Sequence, residues 1–167
     1  MKLAIVGSHW VWKTTLLNDM ETDKIKLTEV ARTVMEEMGK IPQEMNHAEK
    51  VFFQTKVYLA QIKAEKEAWE FVSDRWIYDN LAYASFVSEE LFDNLMRDAE
   101  HHEGYDKVVY IPIEFPLHAD GVRFEDVEFQ KQVDSKILEI LEVLEIDYDT
   151  ITWSREERVE KIHRLIE

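Results

Sequence analysis

Cysteine is absent from the chain. That excludes disulfides, thiolate metal sites and a cysteine nucleophile, and makes oxygen-ligated Mg²⁺ the expected form of any metal use. Glycine and proline are scarce, at 4 and 3 residues, and no repeat, low-complexity tract or linker divides the sequence. Its 167 residues are therefore expected to form a single domain, 1–167, with a substantial core. Positive charge is short as well. Against 35 Asp and Glu stand 20 Lys and Arg, a net charge of −15, which disfavours nucleic acid or an anionic membrane as partner. A small nucleotide accompanied by Mg²⁺ is still compatible, since a local positive pocket is enough. No apolar run approaches membrane-spanning length, and the N-terminus enters a strand pattern with no signal-peptide pattern, so a cytoplasmic protein is expected.

What is present starts at the N-terminus, where KLAIVGSHWVWKTTLL reads as a buried strand, a turn and the first turns of a helix. Lys2 to Val6 is the short apolar run of a central parallel strand. Gly7, Ser8, His9, Trp10, Val11, Trp12, Lys13, Thr14 and Thr15 follow in the register of the phosphate-binding pattern G-x-x-x-x-G-K-[ST], with Trp12 in place of the second glycine. The spacing serves separable purposes. Backbone N–H groups curl round phosphates at the positive end of a helix. Lys13 supplies a compact cation, and the Thr14 hydroxyl a ligand for Mg²⁺. A left-handed backbone at Trp12 costs on the order of 1–2 kcal/mol. The alternative reading of this stretch is a strand, turn and helix that bind no nucleotide, with two rings merely packed.

Further along, Lys24 to Val30 is expected to be a second short strand and Ala31 to Met38 a helix stopped by Gly39. Glu29 and Arg32 then lie at the strand-to-helix edge where open α/β sheets bind ligands, either as acceptor-side residues or as a solvated ion pair. Ile41 to Ala48, with Pro42, reads as a mobile connection. Ala48 to Glu70 is expected to be helical, with Val51, Thr55, Tyr58, Ile62 and Trp69 on one inward stripe. Gln54 and Gln61, two turns apart, face a cleft or water. Phe71 to Ser73 is a brief strand ending at Asp74 and Arg75, and a helix starts near Asp79. Asp74 is positioned to orient Mg²⁺ or take a proton, and Arg75 to clamp a phosphate, unless the two only pair with each other and Asp79 only caps its helix. Ser88 to Glu103 is an acidic helix whose His101 and His102 are expected to be solvated. Tyr105 to Pro112 is another buried strand. The segment 114–130 suits a loop or lid, with Arg123 its best-placed cation. Val133, Ile137, Ile140, Leu141 and Leu144 mark an amphipathic helix, Asp147 to Thr152 a last strand, and Ser154 with Glu157 a capping box for the closing helix. Strands and helices alternate throughout, which predicts a doubly wound parallel α/β sheet with flanking helices.

GSHWVWKTT, EVAR at 29–32, SDRWIYDNLAY at 73–83, DGVRFEDVEFQ at 120–130 and YDTITWS at 148–154 together resemble the small P-loop kinases of bacteria and phages, related to deoxynucleoside monophosphate kinases and ribosylnicotinamide kinases. The resemblance implies ATP and Mg²⁺ as cofactors and a nucleoside or (deoxy)nucleoside monophosphate as the small-molecule acceptor of the γ-phosphoryl group. It implies Lys13, Asp74, Arg75 and Arg123 as catalytic residues, and the turn from Gly7 to Thr15 with Trp153 around ATP. Thr14 and Asp74 would hold the metal, and Glu29, Arg32, Gln54, Gln61 and Asp79 would lie on the acceptor side. The family expects small residues at 10, 12, 76 and 153, all tryptophan here. If the four indoles converge on one pocket, the nucleotide cleft is filled and transfer is weak. The other reading is then a non-catalytic module, of altered or designed sequence, with a blocked nucleotide site. A regulatory GTPase is disfavoured, because no N-K-x-D motif and no D-x-x-G switch follow the strands. Oligomeric state stays open.

Overall fold

A computed structural model describes residues 1–9, 11–114, 124–152 and 154–166, and for 124–126 and 155 only the backbone. Apolar residues dominate β1 (Lys2–Val6), β2 (Ile25–Leu27), β3 (Phe71–Ser73) and β4 (Lys107–Tyr110), and the exposed pair Asp149–Thr150 adds the short strand β5. They form one parallel sheet in the order β2-β3-β1-β4-β5. β1 is central, and its alternation feeds two cores. Leu3 and Ile5 pack with Leu16, Leu17 and Ile162 on one face, whereas Ala4 and Val6 pack with Tyr58, Leu81 and Ile137 on the other. Both faces are covered, which is why the run carries no polar residue after Lys2.

The helices are α1 (Lys13–Asp19), α2 (Val30–Met38), α3 (His47–Glu67), α4 (Ile77–Ser85), α5 (Glu89–Ala99), α6 (Phe124–Val143) and α7 (Arg155–Ile166). Gly39 ends α2 in the left-handed conformation its place requires. Ser154 and Glu157 form the expected reciprocal cap of α7. No helix among the described residues is long and apolar enough to cross a membrane.

Four expectations need correction. Trp69 is not core but 90% exposed. α3 ends at Glu67 and Ala68 turns to an extended backbone, so the helical stripe has no continuation and Ala68 takes the inward place. The connection at 41–48 is ordered: Pro42–Glu44 forms a 3₁₀ turn, and Asn46 with Glu49 makes a capping box that starts α3. Within the segment expected to be a loop or lid, 124–130 is already the first part of α6, where acidic residues suit a helix N-terminus; its remainder from 115 to 123, with Arg123, lies outside the described residues. His102 is half-buried rather than solvated, 3.1 Å from a Glu65 carboxylate oxygen and stacked on Tyr105.

Candidate functional site

The C-terminal ends of β1, β3 and β4 carry the site. At Gly7 the backbone has φ 151°, and a Cβ there would sit 2.5 Å from the Ile111 carbonyl oxygen, so the turn after β1 closes against β4 only with glycine. Trp12 takes φ 67° and ψ 20°, the left-handed geometry of the missing glycine, and stands as N-cap of α1 without a side-chain cap. Its ring is 65% exposed.

Lys13 is folded back into its own turn. Its Nζ donates to the Gly7 carbonyl and, at 2.9 Å, to the Ser8 carbonyl, and lies 3.7 Å from Asp79 Oδ2. Burial pulls the Lys13 pKa down and pushes that of Asp79 up to about 6. Asp79 does not cap α4; Trp76 holds the N-cap position and its indole N–H donates to Asp79 Oδ1 at 3.2 Å. Trp76 itself is fully buried, 4.2 Å from Tyr78 and 5.0 Å from Tyr105 between ring centroids. The two described tryptophans of the expected cluster therefore do not converge. Trp12 faces solvent and Trp76 belongs to the core, where an indole fills volume and its N–H finds a carboxylate. Trp10 and Trp153 lie outside the described residues.

Asp74 follows β3 and is buried. Thr14 Oγ1 donates to Asp74 Oδ2, while Asp74 Oδ1 is enclosed without a partner. Burial, ahead of every favourable contact, raises the Asp74 pKa. A hydroxyl and a carboxylate with a free oxygen are the hard donors Mg²⁺ takes, and the described residues contain no cluster of three or more His, Asp or Glu able to hold a metal alone. Those two oxygens fit Mg²⁺ as this ion is commonly bound, by one or two protein oxygens together with phosphates.

Next to this pair, Arg75 lies 5.7 Å from the Tyr83 ring and borders a cavity of about 600 Å³. His9 from the turn, Gln54 from α3, Asn80 and Tyr83 from α4 and Phe129 from α6 line it. His9 Nδ1 is 3.2 Å from Tyr83 Oη, and Gln130 Nε2 donates to the His9 carbonyl at 2.6 Å, so α4 and α6 both hold the turn. Asn80 is only 1% exposed, and its Nδ2 has no hydrogen-bond partner. A buried donor left unpaired is costly unless something else completes it.

Of the acceptor-side residues expected from sequence, Gln54 reaches the cavity. Gln61 does not: it is 1% exposed and spends its amide inside the protein, on Glu65 and the Arg75 carbonyl. Glu29 and Arg32 pair with each other at 3.6 Å in the open, outside the cavity lining. Asp79 is bound to Lys13 and Trp76. His9, though named for the turn, also serves the cavity. Asn80, Tyr83 and Phe129 were not singled out beforehand; Asn80 was the most legible of them, as a polar residue directly after Asp79 in a helix of mostly apolar neighbours.

No curated protein matches the chain in sequence. Among solved structures, NadR protein in complex with NR superposes with a TM-score of 0.76 at 18% identity, covering 98% of this chain and 50% of that one. The chain thus spans about half the length of NadR. Thymidylate kinase from Ehrlichia chaffeensis gives a TM-score of 0.63 at 15% identity over 100% of this chain and 98% of that one. Deoxyadenosine kinase from M. mycoides gives 0.55 at 13%, over 99% and 98%. These likenesses place the five-stranded parallel sheet among P-loop kinase folds. A family model described as AAA domain matches residues 2–158, and with that match the chain belongs to the AAA domain family.

Proposed function

We propose that the protein transfers the γ-phosphoryl group of ATP to a nucleoside or (deoxy)nucleoside monophosphate, with Mg²⁺. The observation that carries this reading is the Thr14–Asp74 pair, whose unpartnered carboxylate oxygen sits one residue before an arginine that borders the cavity. Bound ATP and Mg²⁺ supply the electrophilic phosphorus and neutralise charge on the phosphates.

This chain's residues do the rest. The turn from Gly7 to Thr15 binds the phosphates through its backbone, and Lys13 leaves the Gly7 and Ser8 carbonyls to meet them. Thr14 and Asp74 orient the metal. Arg75 and His9 stand between turn and cavity and align the acceptor group, and Arg123 joins them from the segment before α6, as the resemblance implies. Asn80 completes its hydrogen bonding on the acceptor. Aromatic rings of Tyr83 and Phe129 offer a surface for a planar base. The outward ring of Trp12 speaks for a working turn over a blocked one.

The test is γ-phosphoryl transfer from ATP to a panel of nucleosides and nucleoside monophosphates, with and without Mg²⁺. Lys13→Ala and Asp74→Asn are each expected to lower kcat/KM by about a hundredfold or more. Absence of transfer to every acceptor, with ATP binding intact by calorimetry, would replace this reading with a non-catalytic nucleotide-binding module.

A further inference from the structure

The peptide that carries Asp74 and Arg75 has little backbone support. β3 ends at Ser73, and the last ladder-like bond is from Asp74 N–H to the Leu27 carbonyl. Between there and the first turn of α4, side chains do the holding. The Arg75 carbonyl accepts from Gln61 Nε2 at 3.1 Å and from the Ser73 hydroxyl. The Ile77 N–H donates to Tyr105 Oη at 3.4 Å. Both arms end on one atom. Gln61 Nε2 donates to Glu65 Oε1 at 2.7 Å and Tyr105 Oη donates to the same oxygen at 2.8 Å, while the other carboxylate oxygen is 3.1 Å from His102 Nε2. Glu65 is buried near the C-terminal end of α3, outside the lining of the Arg75 cavity and in that of a second one, with Ile62, His102 and Tyr105.

A fold does not need this arrangement to bury α3, since leucine would pack there at lower desolvation cost. We propose that Glu65 is a positioning residue: through Gln61 and Tyr105 it grips both ends of the segment 75–77 and so sets where Asp74 and Arg75 stand. Donors converging on one oxygen fix a geometry that apolar packing leaves to slide. The proposal rests on the phosphoryl-transfer reading for its kinetic consequence, though its structural consequence stands by itself.

The variants are Glu65→Gln, Glu65→Leu and Gln61→Leu in the full chain. Glu65→Gln keeps an oxygen that accepts from both arms and gives up only the acceptor for His102 Nε2–H, the ring nitrogen left to donate because Nδ1 accepts from the Gly104 N–H. It should therefore retain kcat within about threefold, whereas Glu65→Leu and Gln61→Leu should lose about tenfold or more in kcat with KM for ATP and acceptor little changed. Amide hydrogen exchange at Arg75, Trp76 and Ile77 should quicken by about tenfold in the two leucine variants and not in Glu65→Gln. Unchanged kcat and exchange in Gln61→Leu overturn the proposal, as does a raised acceptor KM with kcat intact, which would make Gln61 a substrate contact. If one leucine variant fails to fold, the other is read against Glu65→Gln. Should the unmodified protein transfer no phosphoryl group at all, the functional reading falls while exchange at 75–77 still decides the role of Glu65.

Discussion

Asn80 is the residue whose state in the free protein is hardest to account for by folding alone. Its buried amide nitrogen has no partner, and a desolvated donor of this kind costs about 1–3 kcal/mol. Replacing it with leucine, for which the cavity has room, should therefore stabilise the free protein by about 1 kcal/mol in a denaturant titration. The same change should raise the acceptor KM by about tenfold, the size of one lost hydrogen bond. A variant with greater stability and unaltered acceptor KM would remove Asn80 from the site. A neighbouring residue was harder to read in advance. Gln61 has the composition of a cleft residue, but its partners are Glu65 and a carbonyl fourteen positions on, and helical spacing says nothing about what a distant turn presents.

At the scale of the element, α1 shows how a side chain can contradict a motif while the backbone keeps it. Position 12 is left-handed, as the glycine of the pattern would be, and tryptophan there carries the strain without burying its ring. Trp12→Gly should thus gain about 1 kcal/mol of stability, read as a shift in the denaturant midpoint at constant slope, and should keep or tighten ATP binding. A loss of stability would show that the indole makes contacts worth more than the strain. Elements with unbroken apolar runs, such as β1 and β3, were legible residue by residue because burial on both faces leaves little choice of register. The end of α3 was not. Lys66 and Glu67 continue a good helical composition, and what stops the helix is the need of β3 to begin at Phe71. The start of α6 was masked in a similar way by the glycine and proline just upstream.

For the whole molecule, the buried carboxylates set a pH dependence. Burial holds the Asp79 pKa at about 6 against an ordinary 3.8, so the folded state binds that proton more tightly than the unfolded chain. Its contribution to stability is then full below the ordinary value, declines as pH rises towards about 6, and is level above. Asp74 and Asp134 are shifted in the same direction by burial, whereas Glu49 and Glu70, held down first by hydrogen bonds to Lys40 and the N-terminal amine, work the other way. Comparing Asp79→Asn with the unmodified protein isolates one group. The variant's unfolding free energy should fall less between pH 4 and 6, by an amount on the order of 1–3 kcal/mol across the range in denaturant titrations. Identical pH profiles would mean that Asp79 does not titrate there. The order of the strands was beyond reach of the residues themselves, since the strands are short and all parallel and none names its neighbour.

The lysine folded into its own turn has a kinetic meaning. Under the proposed function, because Lys13 already has carbonyl and carboxylate partners, nucleotide arrival would be a ligand exchange and not the filling of an empty socket. Phosphate oxygens must displace Gly7, Ser8 and Asp79 from the ammonium, so affinity is the difference between two sets of contacts. The rate of capture should then level off at high nucleotide concentration, where release of the lysine becomes the slow step.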